Sequence, residues 1–278
     1  MQKSKTILIT GVSSGIGHGA AKELIKRGYR VFGSVRKDED AKRLRSELGE
    51  KFSPLIFDVT DQPSIDKSVV EVQKQLAGSG LGGLINNSGI SVSGPLENIP
   101  IEKFIRNFDV NVFGLVRMTK AFLPLLGTQK NHPSAPGRIL NISSVAGKMA
   151  PPFMTPYTGS KHAVEGISHA LRRELMRFGI DVVIIGPGAV QTPIWDKGSL
   201  EEYKESPYIA SLAKFFGWFV SDGKKGMPLE ECAMKIADIF ETEKPRTRYA
   251  LVQKKFQNWT LPSLLPDKAV DNFFKKLM

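Results

Sequence analysis

Tyr157 and Lys161 lie four residues apart in the stretch YTGSK and form a pair that could move protons. At this spacing two side chains lie on the same face of a helix. A phenol alone titrates near pH 10, which is too high for proton transfer at neutral pH. An ammonium group roughly 4 Å away contributes about 4 kcal/mol at an effective dielectric of about 20, or some three pK units. We therefore expect Lys161 to bring the pKa of Tyr157 towards about 7, where general acid–base catalysis works best.

A hydroxyl group for the same chemistry is offered by Ser144, which precedes the tyrosine at the end of a predicted strand. From there it could donate a hydrogen bond to a substrate oxygen. Many helices carry a tyrosine and a lysine at this spacing, so the pair alone indicates nothing specific. Its meaning depends on the elements that bring the three side chains together.

Short apolar runs rich in β-branched residues alternate along the chain with stretches that carry apolar residues at helical spacing. The runs are TILIT, RVFGSV, FSPLIF, GGLINN, GRILNIS and IDVVIIG, and RYALV could form a last strand. Continuous apolar runs are typical of strands covered on both faces, as in a parallel sheet. The sequence therefore predicts an α/β fold, a Rossmann-type doubly wound parallel sheet with helices on both faces. In such sheets ligands bind beyond the carboxyl ends of the strands.

The segment LITGVSSGIG, at the end of the first predicted strand, fits two incompatible motifs. As G-x-S-x-G it would make Ser13 a hydrolase nucleophile. That motif needs an oxyanion-hole loop from an earlier strand and a later histidine in a loop, yet only about ten residues precede it. His132, His162 and His169 have the right order, but the last two lie in a helical pattern and no histidine follows them. As a phosphate-binding turn, Gly11 permits the tight turn, Gly15 the close approach of a ligand and Gly17 the packing of the helix. We favour this second motif, because a helix N-terminus attracts a pyrophosphate.

The composition is ordinary for a globular protein, with 278 residues, 41% hydrophobic and 24% charged, and we expect one domain over residues 1–278. The net charge of +11 favours anionic ligands, but no basic run exceeds a pair, so we do not expect nucleic-acid binding. The single cysteine, Cys232, excludes an internal disulfide, and the four histidines lack the spacing of a metal site. With no signal peptide and no run of about 20 apolar residues, we expect a cytoplasmic protein.

Six short segments occur together in a fixed order. They are TGVSSGIG at 10–17, NNSG at 86–89, NV at 111–112, NISSVAG at 141–147, YTGSK at 157–161 and PGAVQT at 187–192. Over roughly residues 4–192 this set strongly resembles the single-domain branch of the short-chain dehydrogenase/reductase family. Its pattern is closest to the hydroxysteroid and retinol dehydrogenase-like members. NNSG departs from the usual alanine before the final glycine but keeps the asparagine and the glycine.

The resemblance implies hydride transfer between a nicotinamide cofactor and a carbonyl or alcohol carbon. Tyr157 would be the general acid or base, and Lys161 would lower its pKa and hold the nicotinamide ribose. Of two adjacent serines, Ser144 rather than Ser143 would bind the substrate oxygen. Asn111 would hold a water that links the lysine to solvent. The alternative for Asn111 is a helix-interior amide bonded to backbone.

The choice of cofactor depends on the end of the second strand, GSVRK. An acidic residue there would bind the ribose 2'-hydroxyl of NAD, whereas arginine suits the 2'-phosphate of NADP. Arg36 and Lys37 therefore favour NADP(H), with NAD(H) as the alternative, and Asp38 is better explained as the N-cap of the next helix. By resemblance, Asp58 and Asn87 would contact the adenosine end. The full set of predicted cofactor-binding residues is Gly11, Ser13, Ser14, Gly15, Ile16, Gly17, Arg36, Lys37, Asp58, Val59, Asn87, Gly89, Tyr157, Lys161, Pro187, Gly188, Val190 and Thr192.

Aromatic residues concentrate between 193 and 227, where the alternation of strands and helices lapses and a substrate-loop insertion is expected. Together with Phe153 and Trp195 they would form the wall of a substrate pocket. Ser144 and Tyr157 would contact the reacting oxygen. Such a wall favours a bulky apolar alcohol or carbonyl compound of steroid or retinoid type. Small aliphatic or hydroxyacyl compounds are the alternative substrates. A non-catalytic NADP sensor and a lyase or epimerase are the alternative functions.

The C-terminal extension, residues 253–278, mixes apolar and basic residues in an amphipathic pattern that Pro262 and Pro266 interrupt. It could close the pocket, pack in an oligomer or touch an anionic membrane surface. Packing is favoured because the amphipathic stretch is short. The family commonly forms dimers or tetramers, so we expect a homodimer or a homotetramer.

Overall fold

The computed structural model describes residues 4–193 and 200–278. Within those residues seven strands form one sheet, in the order β3-β2-β1-β4-β5-β6-β7. The strands are β1 Thr6–Ile9, β2 Arg30–Val35, β3 Phe52–Ile56, β4 Gly83–Asn86, β5 Arg138–Ile142, β6 Asp181–Pro187 and β7 Arg248–Leu251. Every neighbouring pair is parallel. This confirms the predicted doubly wound α/β fold, with RYALV contributing the last strand.

Helices cover both faces of the sheet. They are α1 Gly15–Lys26, α2 Asp38–Leu48, α3 Gln62–Leu76, α4 Ile101–Phe108, α5 Gly114–Leu123, α6 Thr155–Leu175, α7 Ile209–Lys224, α8 Leu229–Glu241 and α9 Asp267–Leu277. In β1, Ile7 and Ile9 belong to one hydrophobic core and Leu8 to the other, and all three are fully buried. Continuous apolar runs arise because successive side chains point to opposite faces and both faces are covered.

The helices α4 and α5 are joined by a π-helical turn at Asp109–Phe113. The resulting helix, Ile101–Thr128, is long and apolar enough to cross a membrane by length and composition, but 56% of its most apolar window is buried. Extensive burial is typical of a core helix. Turns of π type occur often at functional sites, and this one carries Asn111.

Two segments depart from the regular alternation. The region predicted as a substrate-loop insertion contains α7, while Trp195 lies outside the described residues. The C-terminal extension contains α9 and contains no buried residue. α9 contacts α7, with Phe273 against Trp218. Packing of this extension in an oligomer stays a prediction. The single-domain organisation stays a prediction.

Candidate active site

The turn after β1 has the backbone geometry of an anion-binding loop. Gly11 and Gly15 adopt φ of +69° and +62°, a region that favours glycine. A Cβ on Gly17 would lie 2.3 Å from Nδ2 of Asn87 and 2.4 Å from the carbonyl oxygen of Gly11, so no side chain fits there. The N-cap residue of α1, Ser14, makes no side-chain capping bond, and the first turn of the helix carries no acidic residue. The N–H groups and positive end of α1 therefore fit a pyrophosphate, and with it a dinucleotide.

Neighbouring strand ends hold this turn in place. The Gly11 N–H donates to Oγ of Ser34 at 2.9 Å, and Nδ2 of Asn87 donates to the carbonyl oxygen of Gly11 at 3.0 Å. Arg43 of α2 donates to the carbonyl oxygen of Ser13 at 2.8 Å. Asn87 was predicted as a site residue, whereas no local pattern predicts Ser34 or Arg43. Their contacts form only when β2 and α2 come beside the turn.

At the end of β2, Arg36 and Lys37 are both exposed at the edge where ligands are expected to bind. Lys37 is the N-cap residue of α2, and Asp38 is the first helical residue. The prediction of Asp38 as the N-cap is therefore wrong by one position. An acidic side chain in the first turn is stabilised by the helix dipole, and Asp38 also pairs with Lys42 at 2.5 Å.

The carboxylate of Asp58, after β3, is held by three donors. Oδ1 accepts from the N–H and hydroxyl of Thr60 at 2.9 and 2.8 Å, and Oδ2 accepts from Arg106 at 3.1 Å. Burial alone would raise the pKa of Asp58, but these hydrogen bonds and the Arg106 charge together lower it. The group is thus ionised at neutral pH. The Val59 side chain is 5% exposed and lies in the core, so only its backbone is available to a ligand.

Asn111 lies in the π-helical turn with its amide fully engaged. Its Oδ1 accepts from the N–H of Ile90 at 2.8 Å. Its Nδ2 donates to the carbonyl oxygen of Ile90 at 2.9 Å and to Oγ of Ser160 at 3.0 Å. A Cβ on Gly89 would lie 3.2 Å from Oδ1 of Asn111 and 3.7 Å from Nζ of Lys161, so amide and ammonium line one corner. The geometry matches the bonded-amide alternative, and the water-holding role stays a prediction.

Tyr157 and Lys161 lie on one face of α6, as predicted, but their electrostatics differ from the expectation. Nζ of Lys161 lies 5.7 Å from the centroid of the Tyr157 ring and donates to the carbonyl oxygen of Ile142 at 2.9 Å. Burial lowers the pKa of Lys161 to about 8, against the opposing charge of Glu165. Burial also raises the pKa of Tyr157, although a hydrogen bond with Ser144 lowers it. The expected fall towards 7 is therefore wrong for the protein alone, because burial raises the pKa of the phenol by more than the hydrogen bond with Ser144 lowers it.

The two adjacent serines have different partners. Oγ of Ser144 accepts from the N–H of Ala146 at 3.1 Å and lies beside the Tyr157 hydroxyl, whose pKa it lowers by hydrogen bonding. Oγ of Ser143 instead donates to the carbonyl oxygen of Lys161 at 3.4 Å. The structure therefore brings Ser144 rather than Ser143 to the phenol.

A buried ion pair lies behind the serine. Glu165 is 2% exposed, and its oxygens accept from Nε of Arg248 at 3.1 and 2.9 Å. The same guanidinium donates to the carbonyl oxygen of Ser144 at 3.2 Å and lies 4.1 Å from the centroid of the Trp259 ring. This group connects β7 and the C-terminal extension to the site. The sequence offers one signal for it, a carboxylate four residues after Lys161 on the same predicted helix.

The turn after β6 closes the other side of the site. Gly188 donates to the carbonyl oxygen of Leu251 at 2.9 Å, and Ser144 donates to that of Pro187 at 3.4 Å. Val190 is 3% exposed, so its side chain belongs to the core. A Cβ on Gly15 would lie 3.7 Å from Cγ2 of Thr192. The turn that carries Thr192 thus reaches the anion-binding loop.

One wall of the site is aromatic. Phe153 has φ of +60°, and its carbonyl oxygen accepts from the N–H of Gly94 at 2.7 Å. Its ring packs edge-on against Tyr208, the N-cap of α7, at 6.4 Å and against Phe215 at 5.8 Å between centroids. Phe153 thus packs with aromatic residues of α7 and its N-cap, and the substrate-binding role of this group stays a prediction.

A parallel sheet whose strand ends combine a pyrophosphate loop with a tyrosine, a lysine and a serine defines a dinucleotide-binding oxidoreductase. The model of the short chain dehydrogenase family matches residues 5–202. The chain belongs to the short-chain dehydrogenase/reductase family, which confirms the resemblance and excludes the hydrolase motif. Its members act on alcohol and carbonyl groups, and this chain is such an oxidoreductase.

Full-length relatives support this assignment. The chain is 41% identical to an NADPH-dependent 3-dehydrocapnine reductase of Ornithobacterium rhinotracheale, over 97% of this chain and 95% of the relative. It is 33% identical to retinol dehydrogenase 16 of Rattus norvegicus, over 98% and 88%. A solved short-chain dehydrogenase from Streptomyces avermitilis superimposes with a TM-score of 0.81 at 27% identity, over 99% of this chain and 97% of that one.

Proposed function

We propose that the protein is an NADPH-dependent reductase that converts a bulky apolar ketone or aldehyde into the corresponding alcohol. The observation that carries this proposal is the position of Tyr157, whose hydroxyl hydrogen-bonds with Ser144 and whose ring centroid lies 5.7 Å from Nζ of Lys161. Burial raises the pKa of the phenol, so it keeps its proton at neutral pH beside the Ser144 hydroxyl. A protonated phenol is the form that donates to a carbonyl oxygen during reduction.

Three residues have separate roles in the proposed reduction. The cofactor, when bound, supplies a hydride to the carbonyl carbon. Ser144 donates a hydrogen bond to the substrate oxygen, and Tyr157 donates the proton that completes the hydroxyl group. Lys161, held by Ile142, provides a positive charge near the ring that favours the phenolate left after transfer. Hydride and proton together convert C=O into CH–OH.

The cofactor proposed is NADP(H). Arg36 and Lys37 are exposed at the end of β2, while Asp38 is paired with Lys42. A relative that is 41% identical is named NADPH-dependent. NAD(H) stays the alternative because an exposed arginine does not prevent a ribose hydroxyl from binding.

Arg36→Ala is expected to raise the KM for NADPH roughly tenfold to a hundredfold, since a hydrogen bond to a charged group contributes about 1.5–3 kcal/mol. The KM for NADH should change little, because NADH has no 2'-phosphate. Initial rates with each cofactor measure the ratio. Lys67→Ala, which removes an exposed charge from α3, is the matched control. Equal losses with both cofactors would contradict the assignment.

An apolar substrate is supported by the rings that continue the wall. Phe215 contacts both Phe153 and Trp218, at 5.8 and 6.0 Å between centroids, and Trp218 contacts Phe273 at 6.0 Å. Phe153 and Tyr208 are not fully buried and would stabilise a substrate through buried apolar area, while the fully buried Phe215 supports the ring of Phe153. The relatives named above act, by their names, on 3-dehydrocapnine and on retinol. Small aliphatic and hydroxyacyl carbonyl compounds form the second candidate class.

A panel of ketones and aldehydes of increasing apolar size, followed by NADPH absorbance, tests the proposal. We expect kcat/KM to rise about fourfold for each buried methylene, which corresponds to about 0.8 kcal/mol, until the pocket is filled. A flat response would indicate the small-substrate class. Binding of NADPH without turnover of any compound would indicate a sensor. Product formation without net change in NADPH would indicate a lyase or epimerase.

We also propose a cytoplasmic homo-oligomer formed by a single-domain chain. An apolar stripe on α4 and the π-helical turn supports self-association, since Ile101, Ile105 and Phe113 are 61%, 58% and 53% exposed. Burial raises the pKa of the Cys232 thiol to about 12, so the thiol is unreactive. A reduced, buried cysteine suits a reducing compartment.

A further inference from the structure

The C-terminal extension presents an apolar surface that the rest of the chain does not cover. None of residues 253–278 is buried. The exposed apolar side chains are Phe256 at 67%, Leu261 at 44%, Leu264 at 75%, Leu265 at 42%, Phe273 at 50% and Met278 at 42%. Together with Trp218, which is 37% exposed and contacts Phe273, we call this the tail surface. A patch of this kind marks an interaction site.

The charges of the tail surface indicate which kind of partner it binds, a second copy of the chain or an anionic surface. Residues 253–278 carry five lysines and two aspartates, a side-chain balance of +3. All seven are exposed, and they are Lys254, Lys255, Asp267, Lys268, Asp271, Lys275 and Lys276. Two copies that met through this surface would bring like charges together. An anionic surface would complement both the lysines and the apolar side chains.

The length of the helix decides between lying on a membrane and crossing it. α9 has 11 residues, about 16 Å at 1.5 Å per residue, whereas a bilayer core is about 30 Å thick. Pro262 and Pro266 separate α9 from the preceding turns. The apolar residues Ala269, Val270, Phe274 and Leu277 of α9 are half-buried, and the helix contacts α7, so α9 exposes its lysines with Phe273 at the edge. Most of the exposed apolar side chains lie before α9, at Phe256, Leu261, Leu264 and Leu265. Apolar and basic groups combined in this way suit the boundary between lipid headgroups and acyl chains.

We propose that the tail surface docks the protein on an anionic lipid bilayer. Leu264 and Phe273 enter the headgroup boundary, and Lys275 and Lys276 face the lipid phosphates. This inference goes beyond the proposed reaction and does not depend on it. Docking would place α7, and the aromatic wall that it forms with Phe153, close to the membrane.

Sedimentation of the full chain with vesicles tests the docking. We expect at least tenfold more protein bound to phosphatidylcholine vesicles that contain phosphatidylglycerol than to phosphatidylcholine alone, with loss of binding at high salt. The double variant L264D/F273D should lower binding at least tenfold. K275E/K276E, which alters no apolar contact of the tail, should remove the preference for anionic lipid. Val70→Asp, at a side chain 67% exposed on α3, is the matched control and should bind as the parent does.

Three results would overturn the proposal. They are equal binding to neutral and anionic vesicles, no binding to either, and loss of an oligomer in L264D/F273D by light scattering without any vesicle binding. The last would show that the tail surface lies between copies of the chain. Circular dichroism of each variant excludes unfolding as the cause. The assay needs no turnover, so its failure and failure of the proposed reduction are separate results.

Discussion

Tyr157→Phe is expected to reduce kcat roughly a hundredfold to ten-thousandfold, the usual contribution of a positioned acid or base. The substitution removes the hydroxyl that hydrogen-bonds with Ser144 and keeps the ring over which Nζ of Lys161 lies. The ring remains, so the packing of α6 and the binding of NADPH should persist. The loss should therefore fall on the chemical step and leave the KM for NADPH within about threefold, since little binding free energy is removed.

Steady-state kinetics and fluorescence titration of NADPH measure the two quantities separately. Tyr29→Phe is the control, because it makes the same change just before β2, whereas the site lies at the carboxyl ends of the strands. Burial and the neighbouring Glu241 raise the pKa of Tyr29, so its hydroxyl has surroundings that are separate from the site. A Tyr157→Phe enzyme with unchanged kcat would show that another group supplies the proton.

It could be predicted that the site residues lie close together, because their proximity follows from the topology of the sheet. Gly11, Asn87, Ser144 and Thr192 follow four strands that are distant in sequence, and in a parallel sheet the carboxyl ends of the strands lie at one edge. Recognising apolar runs as strands was therefore sufficient to gather these residues. The concentration of aromatic residues likewise predicted that Phe153 would lie beside residues 193–227, and its ring packs against Phe215 of α7.

The charge state of the pair could not be predicted from spacing. Four residues of separation place Tyr157 and Lys161 on one face of α6, but they do not say where Nζ points. In the structure Nζ lies over the ring and donates to Ile142, and burial dominates both pKa values. Desolvation depends on every neighbour of a group and so appears only in the folded chain.

Contacts between residues that are far apart in sequence also could not be predicted. Glu165 and Arg248 are 83 residues apart, and they meet because β7 pairs with β6 beside α6. Arg43 reaches Ser13 for the same kind of reason. An amphipathic pattern likewise shows that α9 has an apolar face without showing what that face contacts.

Glu165→Gln is expected to have the second large effect, on stability. The carboxylate and Arg248 form a buried pair, with side chains 3% and 13% exposed. Breaking a buried pair by removing one partner costs about 3–5 kcal/mol, because the remaining charge is left uncompensated. Thermal or urea unfolding measures the loss. Glu174→Gln, at an exposed position on the same helix, is the control and should change stability by less than about 0.5 kcal/mol.

The same substitution is expected to shift the pH dependence of reduction. Burial lowers the pKa of Lys161 to about 8, and the charge of Glu165 opposes that fall. Removing the carboxylate therefore lowers the pKa further, so the ammonium is lost at a lower pH and the alkaline fall in kcat begins earlier. The other titratable groups near Glu165 are Arg248, Lys148 at 4.0 Å and His169, and all remain in the variant. The pKa of His169 is lowered, mainly by burial, so this residue is neutral over the alkaline limb. An unchanged alkaline limb in a folded Glu165→Gln protein would show that Lys161 does not act through its charge, and the stability loss would then be the whole role of the pair.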